Sequence, residues 1–246
     1  MGPVKIYGYG WVGKAMESLF PTALVHDPPL GLLAKEKTGV AFVCVPTPSN
    51  KNGKLDTSIV EGVVKKSKED LIIIRSTVNP GTCDKLEKLG KNICYMPEYL
   101  GESTNHPLLD ETARKFLIIG GQPKNRRRAI ELFQTVYNAN ITIRQTSNLE
   151  AEVIKLSENR AIAFKVAQCQ ELYDACQAAG VDYYTIRDAV YGNDPRFNLW
   201  WTFVYPDKRG FNSKCIPKDV YGWAAWAKDS KLTDALLEYN EGLLNG

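Results

Sequence analysis

The chain has little histidine, no closely spaced cysteine pair and no long hydrophobic run. It contains two histidines, and its six cysteines include no C-x-x-C pair, so a zinc site is not expected. No apolar run approaches the length of a membrane span, and we expect no signal peptide because a strand-like segment follows the N-terminus at once. The net charge of +3 is too small to indicate nucleic-acid binding. A globular protein with free thiols in the reducing cytoplasm is the simplest interpretation.

Short β-branched apolar runs alternate with helix-like segments over residues 1–147. This alternation predicts a Rossmann-like, doubly wound, mostly parallel α/β sheet, which forms the first domain. The strand candidates are VKIYGYG, ALVHD, VAFVCVPT, LIIIRSTV, NICYMPE, KFLIIGG and ITIRQTS. The helix candidates between them are GKAMESLF, DTSIVEGVVKKS, GTCDKLEKLG and NRRRAIELFQTVYN.

The pattern changes at Asn148. Residues 148–180 contain no proline and no glycine before Gly180, which predicts one helix of roughly 50 Å. A helix of that length is too long to be covered by one small sheet, so we expect it to help form a homodimer. The tail is predicted to be mainly helical, with an irregular stretch at 192–214, so that residues 148–246 form a small all-α domain.

The stretch GYGWVG follows the first strand and opens the first helix. In that context a G-x-G-x-x-G pattern is typical of dinucleotide binding. Gly8 permits the tight turn, Gly10 allows close approach of a pyrophosphate, and Gly13 allows the helix to pack on the strand. The candidate cofactor-binding residues of the motif are Gly8, Tyr9, Gly10, Trp11, Val12 and Gly13.

Asp27 ends the second strand, near the spacing of a carboxylate that binds the adenosine ribose hydroxyls. Pro28 and Pro29 follow it, where an NADP site often has a basic residue. NAD is therefore the expected cofactor. Taken alone, Asp27 fits a strand-end cap equally well.

The stretch GFNSKCIPKD at 210–219 contains the most reactive candidate. Pro217 is typical of the start of a helix. Cys215 then lies just outside a helix N-terminus, where backbone N–H groups and Lys218 favour an anion, and this setting makes a thiol nucleophilic. A lone cysteine is more often a small buried apolar residue. The other motifs of the chain must therefore distinguish a nucleophile from a buried side chain.

Four more motifs occur along the chain: VPTP at 45–48, STVNPGT at 76–82, MPEYLGE at 96–102 and KLSEN at 155–159. Together with the cysteine motif, and in this order, they make nearly the whole chain resemble the UDP-glucose/GDP-mannose 6-dehydrogenase family. The resemblance implies NAD-dependent oxidation of a nucleotide-sugar primary alcohol to a uronic acid, with two NAD consumed.

The chemistry of this family explains the residue types. Loss of one hydride gives an aldehyde that Cys215 traps as a thiohemiacetal, and loss of a second gives a thioester that water hydrolyses. Lys155 and Asn159 lie one helical turn apart on one face, where they can hold the oxyanion. The resemblance also assigns proton handling and an ordered water to Lys155 and Asp219.

The resemblance assigns roles to five further residues. Glu98 is the expected base for thioester hydrolysis, and Thr77 is expected to position the water and also to bind the cofactor. Thr47, Glu102 and Lys218 are expected on the cofactor side. Each has an alternative explanation on its own, because strand ends recruit the same residue types for caps and turns, and a lysine and an asparagine on a helix are usually at the surface.

Three features depart from the family pattern. Asn212 and Ser213 replace two glycines before the cysteine, and no lysine follows Asp27. The family has a further domain after this helical region, which grips the substrate nucleotide, so we expect a short form. The substrate is then either a UDP-sugar held by surfaces of a dimer or a smaller sugar phosphate. Trp200 and Trp201 offer stacking surfaces, although core or dimer packing is their commoner use.

Two other functions fit part of the pattern. A two-electron hydroxyacid dehydrogenase also uses a helical Lys-x-x-x-Asn, but it needs no cysteine, so Cys215 argues against it. A non-catalytic NAD-binding or assembly protein is the second alternative. Such a protein would be a relative that has lost its catalytic activity. The presence of all the candidate catalytic residues argues against this, namely Cys215, Lys155, Asn159, Glu98 and Asp219.

Overall fold

The structure, a computed structural model, describes residues 2–101, 106, 108–227 and 229–246. The chain divides into two compact units. The first consists of Met1–Asn50 and Leu55–Lys155, and the second of Lys51–Lys54 and Leu156–Gly246.

The first unit is built on one mixed sheet. Its strands, counted over the described residues, are β1 (Lys5–Tyr7), β2 (Leu24–Asp27), β3 (Leu32–Leu33), β4 (Val40–Val43), β5 (Leu71–Ile74), β6 (Ile93–Tyr95), β7 (Phe116–Gly121) and β8 (Thr142–Thr146). They lie in the order β3-β2-β1-β4-β5-β6-β7-β8. All neighbours are parallel except β2 with β3 and β6 with β7. The predicted mostly parallel, Rossmann-like sheet is confirmed.

Only β3 lies outside the predicted strand segments. It contains two residues and follows a short 3₁₀ turn at Pro28–Leu30. A strand of that length has no alternation to detect, and it forms because the turn directs the chain back along β2.

Both faces of the sheet are buried under helices. The helices of this unit are α1 (Trp11–Leu19), α2 (Ser58–Lys66), α3 (Thr82–Glu87), α4 (Pro123–Phe133) and the first turns of α5 (Asn148–Ala179). Successive side chains of one strand point to opposite faces, so Phe42 packs with Phe133 while Val43 packs with Val64. Because both faces are covered, the central strands are continuous apolar runs.

The regular elements of the second unit, over its described residues, are helices. Helix α5 is 32 residues long, or about 48 Å, and it is followed by α6 (Tyr183–Tyr191), α7 (Ile216–Trp226) and α8 (Lys231–Asn245). The predicted long helix and the irregular stretch before α7 are both confirmed. Two apolar clusters hold the unit together, one joining α5 with α7 and α8 and the other joining α5 with α6.

The described residues also bear on membrane insertion, metal binding and the state of the cysteines. None of the helices in the described part of the chain combines the length and apolar character of a bilayer span. Within the same residues, no three His, Cys, Asp or Glu side chains are grouped to hold a metal ion. All six cysteines are free thiols.

Candidate active site

The glycine loop between β1 and α1 combines tight packing with one open position. A side chain on Gly8 would meet Cys44 O at 2.7 Å, and one on Gly13 would meet Gly8 O at 2.1 Å. A side chain on Gly10 would meet no described atom within 4 Å. Gly10 is also the N-cap of α1, whose first turn contains no acidic residue. The loop therefore presents open space at the start of a helix, and these are the features that a pyrophosphate site requires.

Asp27 lies directly beside this loop. Its Oδ2 accepts a hydrogen bond from the backbone N–H of Tyr9 at 2.7 Å, and its side chain makes no capping bond to the 3₁₀ turn that follows. The carboxylate at the end of β2 and the open glycine are the pair that an NAD site requires. Trp11, half exposed, adds an apolar surface next to Gly10.

The loops that follow β4 and β5 are tied together. Thr47 Oγ1 donates to the backbone oxygen of Thr77 at 2.6 Å, and Ser76 Oγ donates to Val45 O at 2.7 Å. These loops leave the carboxyl ends of neighbouring parallel strands, which is where open α/β sheets bind their ligands. The structure thus brings together Thr47 and Thr77, which were both candidates for cofactor binding, with a further role in positioning water predicted for Thr77.

Glu98 follows β6 and is buried. Arg75 Nη2 donates to its Oε2, while the N–H groups of Tyr99 and Leu100 donate to Oε1 at 2.7 and 2.6 Å. Burial acts to raise the pKa of Glu98, but the charges of Arg75 and Arg114 and these hydrogen bonds hold it below its usual value. Glu98 is therefore an ionised, firmly oriented carboxylate.

Three charged residues around Glu98 were not among the sequence candidates. Arg75 Nη2 also contacts Glu111 Oε1 at 3.1 Å, and Arg114 Nη1 donates to the same oxygen at 2.6 Å. All three side chains are buried. One signal was available, because Arg75 directly follows the apolar strand LIII and a buried charge there needs a partner. The identity of its carboxylate partners could not be predicted in this way, because the folded sheet brings them to Arg75 from distant positions in the chain.

Lys155 and Asn159 are both buried on α5. The alternative of a solvated helix face is therefore wrong for this pair. Lys155 Nζ lies 5.9 Å from the centroid of the Tyr99 ring, within the range of a cation–π contact. The aromatic ring thus supports the ammonium group inside the first unit.

The start of α7 matches the expected setting of a reactive thiol. Cys215 is the N-cap residue of α7 and is exposed, so the alternative of a small buried side chain is wrong. The helix begins at Ile216, one residue before Pro217. The N-terminal end of a helix favours an anion, so this is the setting in which a thiol ionises more readily.

Asp219 lies one turn further along α7 and is 1 % exposed. Its Oδ2 accepts from Asn159 Nδ2 at 2.5 Å, and its Oδ1 accepts from Lys218 Nζ at 2.6 Å. Lys218, expected on the cofactor side, therefore forms an ion pair with Asp219. The second unit assembles Asn159, Lys218 and Asp219 into one hydrogen-bonded set.

Three candidates remain, of which the structure describes the two tryptophans. Trp200 is exposed and Trp201 is half-buried with φ of 61°, and Lys165 Nζ holds their segment by donating to Asn198 O at 2.7 Å. Glu102 lies outside the described residues.

The doubly wound sheet, the glycine loop and Asp27 define the first unit as an NAD-binding domain of the dehydrogenase class. The family model described as "UDP-glucose/GDP-mannose dehydrogenase family, NAD binding domain" matches residues 33–141, and the central-domain model of that family matches residues 149–242. The chain belongs to the UDP-glucose/GDP-mannose dehydrogenase family, and NAD is its cofactor.

The chain is similar to curated relatives of two specificities. It is 27% identical over 227 residues to a UDP-glucose 6-dehydrogenase of Rickettsia bellii, covering 84% of this chain and 50% of that protein. It is 32% identical over 201 residues to a GDP-mannose 6-dehydrogenase of Pseudomonas aeruginosa, covering 74% of this chain and 45% of that protein. The chain thus spans about half the length of these relatives.

Solved structures share the fold. A UDP-glucose dehydrogenase from Pyrobaculum islandicum aligns with a TM-score of 0.81 at 22% identity, over 98% of this chain and 68% of that one. A UDP-D-ManNAc dehydrogenase from Pyrococcus horikoshii aligns with a TM-score of 0.80 at 21% identity, over 98% of this chain and 69% of that one.

Proposed function

We propose that the chain oxidises the primary alcohol of a nucleotide-sugar to a carboxylate, in the manner of a UDP-glucose 6-dehydrogenase, through a thioester on Cys215. The observation that carries this proposal is the exposed thiol at the N-cap of α7, in a chain whose NAD-binding loop is intact. A dehydrogenase that stops at the aldehyde has no need of such a thiol.

The thiol makes the second oxidation possible. NAD, when bound, accepts the two electrons of each oxidation. The Cys215 thiolate adds to the aldehyde carbon to form a thiohemiacetal, and oxidation of that adduct leaves the thioester. Water then attacks the thioester carbonyl, the C–S bond breaks, the thiolate leaves, and the proton of the water passes to a base.

Lys155 and Asn159 are the proposed oxyanion donors. Both are buried, and a donor in a dry site stabilises developing charge more than one in water. One hydrogen of the Asn159 amide is used by Asp219, which fixes the amide plane and leaves the other hydrogen for the substrate. Asp219, paired with Lys218, is proposed to hold an ordered water together with Lys155.

Glu98 is the proposed base for hydrolysis, and Thr77 is proposed to position the water. The hydrogen bond from Thr47 to Thr77 O supports that loop. Glu102 is proposed as a contact on the cofactor side, together with Thr47 and Lys218.

The substrate is proposed to be a UDP-sugar, with a sugar phosphate as the smaller candidate. We also propose a homodimer, because several apolar side chains of α5 remain only half-buried within the chain, namely Ile162, Phe164, Val166, Leu172 and Tyr173. Light scattering at micromolar concentration tests this, and a monomer would contradict it.

The decisive assay counts NADH formed per acid across UDP-sugars and sugar phosphates. Two NADH per acid supports the four-electron reaction. One NADH per sugar molecule oxidised, with no acid formed, supports a two-electron dehydrogenase instead. No NADH with any sugar, in protein that binds NAD, supports a non-catalytic relative.

A further inference from the structure

Arg75 is fully buried at the carboxyl end of β5, and its Nη2 contacts two carboxylates. It donates to Glu98 Oε2 and, at 3.1 Å, to Glu111 Oε1. Burying a guanidinium is costly, an ion pair recovers only part of that cost, and an apolar residue of similar volume often packs as well. The reason to keep an arginine here therefore lies in what it does to its partners.

Glu98 has little orientational freedom left. An ionised carboxylate has about four acceptor positions. Three are used, by Arg75 at Oε2 and by the N–H groups of Tyr99 and Leu100 at Oε1. The backbone bonds hold one oxygen and Arg75 holds the other, so the plane of the carboxylate is set and about one position is open to a water.

Other titratable groups face Glu98 or Arg75 from the neighbouring elements. They are Cys44 after β4, His106, Glu111 in the 3₁₀ turn at Glu111–Ala113, Arg114 before β7 and Tyr137 after α4. Burial raises the pKa of Cys44 to about 12, raises that of Tyr137 and lowers that of His106, so these three are neutral near neutral pH.

The charges that remain are balanced. Arg75 and Arg114 are the cations, and Glu98 and Glu111 are the anions, with Lys155 beyond the Tyr99 ring. Removing one arginine takes away positive charge that stabilises the Glu98 carboxylate, so the pKa of Glu98 should rise. Removing the charge of Glu111 leaves both arginines to act on Glu98 alone, so its pKa should fall. The two changes therefore act on Glu98 in opposite directions.

We propose that Arg75 is a positioning residue for Glu98, holding its carboxylate in one orientation and in the anionic form during hydrolysis of the thioester. This inference rests on the proposed function, because acid release is the step that Glu98 serves. An unpaired Glu98 would both rotate and bind a proton more readily, so hydrolysis would slow on the acid side of the pH profile.

Three variants separate this role from a purely structural one. Arg75→Met is expected to move the Glu98 midpoint up by about one pH unit or more, as an opposite charge does when it is lost. Glu111→Gln is expected to move the midpoint down. Arg75→Lys keeps the charge and is expected to restore most of the wild-type midpoint. A structural role would give all three variants a loss of stability with no ordered change in the midpoint.

The midpoint can be read without turnover. In protein carrying ¹³C-labelled glutamate carboxyls, the Glu98 resonance is the one that disappears in Glu98→Gln, and its shift is followed against pH. Thermal melts establish that each variant is folded. If Arg75→Met does not fold, Glu111→Gln still tests the sign of the midpoint shift, and Arg75→Lys still tests whether a positive charge at this position is sufficient. The pH profile of acid release is measured in parallel by single-turnover quench.

Opposite midpoint shifts, matched by shifts in the acid-release profile, support the inference. An unchanged Glu98 midpoint in folded Arg75→Met, or a shift of Glu111→Gln in the same direction, overturns it. Shifted midpoints with an unchanged acid-release profile overturn it as well. Absence of acid from wild type with every sugar overturns the proposed function instead, and the midpoints still decide whether Arg75 controls Glu98.

Discussion

Asn159 Nδ2 donates to Asp219 Oδ2 at 2.5 Å, and this hydrogen bond joins α5 to the first turn of α7. Both side chains are buried. Lys218 balances the charge of Asp219 from its other oxygen, at 2.6 Å. The neutral amide therefore orients the carboxylate without adding charge.

That arrangement predicts a pH-dependent defect in Asn159→Asp. Two buried carboxylates in contact cannot both ionise easily, so one pKa is raised above its unfolded value. Stability gained from the protonated form is present at low pH and is lost as pH rises through the raised pKa. Chemical denaturation should show that Asn159→Asp loses more stability at about pH 8 than at about pH 5.

Asn159→Ala is the matched control for this prediction. It removes one donor from a buried acceptor and should cost about 1–3 kcal/mol with little dependence on pH. A stability difference between Asn159→Asp and Asn159→Ala that is the same at both pH values would contradict the like-charge explanation.

Glu69 predicts where the protein loses stability in acid. Lys5 Nζ lies 2.8 Å from Glu69 Oε1, and both side chains are almost fully buried. Burial acts to raise the pKa of Glu69, but the hydrogen bonds from Lys5 and Ser67 hold it at about 2. Because the folded pKa is depressed, the stabilisation is present above the unfolded pKa and is lost as pH falls towards about 2.

The size of this effect can be measured by urea denaturation across acid pH. The shift corresponds to about 3 kcal/mol at neutral pH. Glu69→Gln should be less stable than wild type at neutral pH, and the difference should shrink as the solution is acidified. Asp70 is the control, because it pairs with Lys37 at the same 2.8 Å but with both side chains about half exposed. Asp70→Asn should change the profile little, and an equal effect from both variants would refute this account.

The glycine loop predicts a separation of binding from folding. A side chain at Gly10 meets open space, so Gly10→Val should fold normally but lose NAD affinity, because the valine occupies the path of the pyrophosphate. Gly13→Ala should instead destabilise the domain, since its Cβ would lie 2.1 Å from Gly8 O. Calorimetry and thermal melts on both variants distinguish the two. Unchanged NAD affinity in folded Gly10→Val would be the contrary result.

Asp27 predicts the cofactor preference. Its carboxylate accepts from Tyr9 N, and its proposed role is to bind the ribose hydroxyls and to repel a phosphate on that ribose. Asp27→Ala should weaken NAD binding and reduce the discrimination against NADP. A wild-type preference for NADP would refute this role.

The proposed mechanism predicts where catalysis stops when Cys215 or Glu98 is replaced. Cys215→Ala should form at most aldehyde, and Cys215→Ser should stall before acid because a hydroxyl is far less ionised than a thiol. Glu98→Gln should accumulate a covalent thioester, since the base for hydrolysis is absent. Intact-protein mass spectrometry of substrate-treated protein detects the adduct, which should disappear in Glu98→Gln/Cys215→Ala. Acid production by Cys215→Ala at the wild-type rate would show that the thiol is structural.

Much of the fold could be predicted because its signals are local. The strands β4 and β5 are continuous apolar runs, and α5 is a long segment without proline or an interior glycine. The glycine loop and the helix start after Cys215 depend on residues within a few positions of one another. Two-residue β3 was not predictable in this way, because its pairing with β2 arises from a turn.

The amino-acid sequence by itself determined the kinds of element, the NAD loop and the cysteine motif, because periodicity and turn chemistry act between near neighbours. The tertiary structure alone decided which charges meet. Arg75 and Glu111 are 36 positions apart, and Lys5 and Glu69 are 64 apart. Such pairs form only when the folded sheet brings distant parts of the chain together. Burial then makes each pairing important, because an unpaired charge in the interior would be costly.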